Sequence, residues 1–184
     1  NKDVGFNADA DAGGSGYYSL AEIWTAQVVT GSSMTLTWSR ASGARVDASA
    51  SVTLQVVEVR GYKTTGYVGA TMAEDSVSNG AKTGTLSGSP LSDSLVIGAR
   101  SGSPPGTNDI SATPSAGWTE LYDVPVGNYS GYALQQIQYD LTPSGTSVSW
   151  DDVAVTESFI NSCVTGIEIK AQPLSERLIF ITHW

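Results

Sequence analysis

The chain has 184 residues, 18 acidic against 9 basic side chains for a net charge of −9, one cysteine and one histidine. No window gathers the Lys and Arg that hold phosphate backbones, so nucleic-acid binding is not expected, and the acidic balance opposes docking on an anionic membrane. A single Cys163 excludes an internal disulfide, and no run approaches the roughly 20 apolar residues that span a bilayer.

Residues 1–19 have no period and close on a run of glycine and serine, the mark of a loop or arm. The chain opens on Asn1 and not on methionine, as a processed or trimmed start does. In "LAEIWTAQVV", Leu20, Trp24, Ala26 and Val28 share one parity and predict a strand entering a hairpin, although Leu20, Ile23, Trp24 and Val28 also suit a helix. Strands follow at 33–40, where Met34, Leu36 and Trp38 alternate with threonines, and at 51–60, where Val52, Leu54 and Val56 do so. Further strands are expected at 66–72, 81–88 and 93–100, the last nearly all apolar and therefore central. The proline- and glycine-rich stretch 101–116 predicts a long surface loop. Beyond it come strands at 117–123, 131–142, 146–155, 159–171 and 177–183. In these, Ala133, Ile137, Tyr139 and Leu141 share a parity, as do Val148 with Trp150 and Cys163 with Ile167 and Ile169. Alternation of this kind describes one buried and one wetted face, with Trp24, Trp38 and Trp150 on the core side and Cys163 a small buried hydrophobe. About ten strands without a convincing helix predict an all-β chain, an antiparallel β-sandwich of jelly-roll type. One domain spans 20–171, preceded by the arm 1–19 and followed by a terminal strand or assembly segment, 172–184.

The succession "EIWTAQVVTGSSMTLTWS", "VTLQVVEVRG", "SLVIGARSG", "GWTELYD", "YALQQIQYDL", "GTSVSWDDVA" and "TGIEIKA" resembles the jelly-roll domains of tailed-phage virion proteins, tail-associated or capsid-decorating. The resemblance rests on a layout of Trp, Gly and strand patterns over residues 20–171 and carries no catalytic motif. It implies a non-enzymatic structural protein at the surface of a virion, in contact with other virion proteins. It also implies self-association, since closed rings such as trimers hide strand edges and apolar ends.

Sites of chemistry are few. Asn7, Asp9 and Asp11 alternate in "FNADADAGGSG" and could wrap calcium through oxygen ligands. Counted from Asn7, however, the EF-hand glycine and glutamate positions hold Ala12 and Tyr18, and a solvated acidic arm explains the same residues. No cofactor is expected otherwise. The sole His183 lies in an apolar terminal strand and reads as a surface residue; Glu22, Glu58, Glu120, Glu157 and Glu168 read as solvent-face charge on strands. Asp151-Asp152 ends a strand more readily than it binds metal. The rival function is carbohydrate recognition, as a binding module or adhesin domain for surface glycans. Tyr62, Tyr67, Trp118, Tyr122, Tyr129 and Tyr132 fall in or beside turns, where aromatic faces supply large contacts at low entropic cost. Packing and subunit contact are the plainer roles for each.

Overall fold

The computed structural model describes residues 21–25, 55–76, 82–103, 112–127, 132–152 and 161–172. They form eight strands: β1 (Val68–Ser76), β2 (Lys82–Thr85), β3 (Leu95–Ser103), β4 (Ala112–Pro114), β5 (Thr119–Gly127), β6 (Tyr132–Asp140), β7 (Ser147–Asp152) and β8 (Asn161–Ile169). No helix occurs among the described residues. Every pairing is antiparallel, in a five-stranded sheet of order β1-β8-β3-β6-β5 and a three-stranded sheet of order β2-β7-β4. The first strand thus pairs with the eighth, the second with the seventh and the third with the sixth. β5 pairs with β6 and extends the larger sheet.

The all-β expectation holds, with differences in particular elements. Residues 55–60 form no ladder, and Val56 is 61% exposed although its alternation suggested a strand. Alternation fixes which side chains share a face; it does not supply a partner edge. Residues 21–25 likewise form no strand. Trp24, expected in the core, is 53% exposed, and its Nε1–H donates to Glu22 Oε2 at 2.9 Å. The expected loop at 101–116 is shorter, because β3 runs on through Ser103 and β4 occupies Ala112–Pro114. The arm 1–19, the strands expected at 33–40 and 177–183, and His183 lie outside the described residues.

The space between the sheets is unusually polar. Val96, Val148, Trp150, Val164, Met72 and Leu86 form its apolar cluster. Beside them Arg100, Gln136, Gln138 and Glu168 are each at most 2% exposed. In β6 the expected faces are therefore exchanged: Ile137 and Tyr139 are half-buried, while Gln136 and Gln138 are fully enclosed. The cause lies in the neighbouring strands. Gly98 stands opposite Gln138 on one side and Gly166 on the other. A Cβ at Gly98 would come within 2.7 Å of Val148 and 3.0 Å of the Trp150 ring, so these strands offer backbone against which the indole lies. Gln138 then reaches across, its Nε2 donating to Ser149 O at 2.7 Å, and ties the two sheets together.

β8 is buried on both faces. Its outward side chains Cys163, Ile167 and Ile169 are covered by Ala21, Tyr67 and the half-buried Ile23, Val59 and Tyr62. Lys63 N donates to Lys170 O, Lys170 N to Tyr67 O, and Gln172 N to Gly61 O, closing this cover over the end of the strand. Gly61 and Gly66, with φ of 75° and 60°, make the reversals the segment needs.

Candidate functional site

β4 ends at Pro114, opposite Trp150, because proline has no N–H to continue a ladder. The chain turns away through Ser115–Trp118, where Gly117 takes a φ of 93° and Trp118 N donates to Ser115 O at 3.0 Å. Ser115 Oγ donates to Asp151 Oδ1 at 3.1 Å and anchors the turn to β7. As a result, Ser147–Ser149 of β7 have no strand partner on that side among the described residues.

The β6–β7 connection faces this gap. Asp140 Oδ1 accepts from Thr142 N at 2.8 Å, a local carboxylate turn that fixes the loop. Between the two turns lies a cavity of about 370 Å³, floored by Leu86 and Val96 and walled by Trp118, Asp140, Thr142 and Ser149. Trp118 packs its inner side on the core cluster, so the wall is rigid. Among the described residues no Lys, Arg or His lines the cavity.

A second feature lies further along the inner face. Asp123 stands opposite Gln136, and its Oδ1 is buried without a hydrogen-bond partner. Burial, and then the charge of Glu120, push its carboxyl up from the usual 3.8 to about 6. The folded state therefore prefers the protonated acid, so this stabilisation is complete below about pH 4 and is lost as pH rises through about 6. A shift of this size would be worth about 3 kcal/mol for a group shut off from water; partial solvation reduces that to about 1 kcal/mol. Asp123→Asn is expected to raise stability by about 1 kcal/mol at pH 7 and to add nothing at pH 4. Urea unfolding at the two pH values checks this, and equal gains at both would refute the assignment.

Of the aromatic residues singled out from the sequence, the described side chains, those of Tyr62, Tyr67, Trp118 and Tyr122, do not gather at one place. Tyr62 and Tyr67 form an edge-to-face pair, centroids 5.5 Å apart. Tyr67 is only 6% exposed, and its hydroxyl lies 3.4 Å from Thr25 Oγ1. Tyr122, half-buried, sits opposite Ile137 on the sheet face turned away from the cavity. Trp118 alone of the described members of this set lines the cavity. Tyr129 lies outside the described residues, and Tyr132 begins β6 with its side chain outside them. Asn7, Asp9 and Asp11 are also outside, so the calcium expectation falls beyond what the structure describes. Among the described residues no three His, Cys, Asp or Glu side chains are grouped to hold a metal.

Glu168 corrects the sequence reading. It was expected on a solvent face, yet it is 2% exposed and accepts hydrogen bonds from Ala70 N, Leu91 N and Ser94 Oγ. The available signal was its place between Ile167 and Ile169 in a strand too apolar for an edge. Asp140, Thr142 and Ser149 carried no signal, since the cavity arises from where strands stop.

No protein-family profile and no curated protein matches the chain. Among solved structures, the chain is similar to the tripod (BppUct-A-L) from the baseplate of bacteriophage Tuc2009, with a TM-score of 0.38 and 16% identity over 70% of this chain and 81% of that one. A likeness at this level carries no argument about fold or function.

Proposed function

We propose that the chain is a jelly roll serving as a non-enzymatic structural component of a tailed-phage particle, a capsid-decorating or tail-associated subunit acting through contacts with other virion proteins and with its own copies. The observation that carries this reading is the pairing order. Among the described strands, β1 with β8, β2 with β7 and β3 with β6 is what results when a two-stranded ribbon rolls up on itself. The order occurs in a chain whose segment layout resembles such domains in virion proteins. The fourth pair of that scheme is replaced, since β5 joins β6, and both β5 and β1 end their sheet without a further partner among the described residues. Edges of this kind are satisfied by neighbours in an assembly. Light scattering on the full chain is expected to give a multiple of the 19.2 kDa subunit mass. A subunit mass at every concentration tested would count against the reading.

Carbohydrate recognition is the second reading, and the cavity walled by Trp118 favours it. The two are compatible, because a particle component can carry a glycan site on its surface.

A further inference from the structure

We propose that the cavity between the Ser115–Trp118 turn and the β6–β7 connection is a binding site for a neutral saccharide. The proposal rests on the carbohydrate reading and is independent of the assembly reading. Its volume of about 370 Å³ lies within the range of small-molecule sites.

The lining selects the chemistry. Trp118, held by the core behind it, offers an aromatic wall of the kind on which the C–H face of a pyranose stacks. Around it stand Ser144 and Thr142, whose hydroxyls both donate and accept, the latter 3.5 Å from Asp140 Oδ1, and Asp140, whose carboxylate accepts. Ser147 and Ser149 contribute backbone, since Val148 and Trp150 take the inner face and the Ser149 hydroxyl lies 3.0 Å from Thr83 Oγ1. The backbone edge of Ser147–Ser149 adds main-chain groups that no strand takes up among the described residues. A polyol matches this mixture of donors and acceptors around one apolar wall.

Other occupants fit less well. An anionic ligand would meet Asp140 with no Lys, Arg or His among the described lining residues to offset it, in a chain of net charge −9. A purely apolar ligand would find Leu86, Val96, Trp118 and Pro143 among the described lining residues and would strand the hydroxyls without water. An added peptide strand would have just three residues of edge, and Ser149 O already accepts Gln138 Nε2.

The test is a titration of the ¹⁵N-labelled full chain with maltose, lactose and N,N′-diacetylchitobiose, each to about 10 mM, enough to populate a millimolar site. Inorganic phosphate is the anionic comparison. Saturable shifts of the Trp118 indole N–H and the Gly117 and Gly145 amides are expected with at least one disaccharide. A Cβ at Gly145 meets nothing within 4 Å, so Gly145→Arg places a long side chain at the rim without disturbing the fold. It is expected to weaken the shifts about tenfold or more, as is Trp118→Ala. Saccharide shifts that map elsewhere, to Tyr62 or Tyr122, or that survive Gly145→Arg, would overturn this site and leave the carbohydrate reading standing. No shift with any disaccharide would overturn both, and a response to phosphate alone would overturn the neutral-ligand assignment.

Discussion

Replacing Glu168 with alanine is expected to lower the stability of the fold by about 3 kcal/mol, because the change strands one buried hydroxyl and two part-buried amide donors at once. Glu168 Oε2 accepts from Ala70 N at 2.8 Å, inside the irregularity of β1 between Val68 and Thr71, where the ladder to β8 slips. Its Oε1 accepts from Leu91 N at 2.9 Å and from Ser94 Oγ at 2.7 Å, fixing the connection that leads into β3. One carboxylate thereby supplies the acceptors that two irregular pieces of backbone lack. Burial raises its pKa; the hydrogen bonds from Leu91, Ala70 and Ser94 and the charge of Lys170 oppose this, and the net result lies below the ordinary 4.5. A depressed carboxylate stabilises the fold above its unfolded value and loses that contribution as pH falls through the folded one. The parent should therefore weaken in acid, and Glu168→Gln, which cannot ionise, should not share that part of the decline. The amide keeps the volume but turns donors toward donors, so a loss of about 2 kcal/mol is expected at pH 7. Gly69 belongs to the same device, since a Cβ there would overlap the carboxylate. Gly69→Ala should be costly in the parent and nearly neutral beside Glu168→Ala, a coupling that a double-mutant cycle reads. Urea midpoints at constant m measure all of these. A Glu168→Ala protein within 1 kcal/mol of the parent would show the network to be dispensable.

Much of the fold is legible in the sequence, and what escapes has identifiable causes. Strands at 66–72, 81–88, 93–100, 117–123, 131–142, 146–155 and 159–171 correspond to β1, β2, β3, β5, β6, β7 and β8, because period-two patterns and turn residues are local. β4 escaped because three residues ending in proline give no period. The direction of burial escaped in β6, where Ile137 and Tyr139 carried the apolar parity and Gln136 and Gln138 were the enclosed pair. That outcome depends on Gly98, three strands earlier in sequence, and on Trp150 from the opposite sheet, neither of which a single segment reveals. Glu168 was misjudged for the same reason: its partners lie 98, 77 and 74 residues away. Of the candidate site, Trp118 was nameable from its residue type and turn, while its surroundings depend on strand termination.

The core and the cavity share residues, and Trp150→Ala is expected to damage both. Trp150 is fully buried and packs in one cluster with Leu86 and Val96, which floor the cavity, and with Trp118 at its wall. Removing the indole leaves a void between the sheets, at a cost of about 4 kcal/mol. The same void should relieve a second substitution. Gly98→Ala alone puts a methyl 2.7 Å from Val148 Cγ1 and 3.0 Å from Trp150 Cζ2, overpacking worth about 2 kcal/mol. With the indole gone, Val148 can turn into the vacated space and the methyl fills part of it. The double variant should therefore be more stable than Trp150→Ala by about 1 kcal/mol, a reversal of sign that additive effects cannot produce. Saccharide shifts at Trp118 should weaken in Trp150→Ala and recover in part in the double variant, because Leu86 and Val96 regain support. If stability follows this pattern while binding stays constant, Trp118 and the β6–β7 turn shape the site without help from the core beneath.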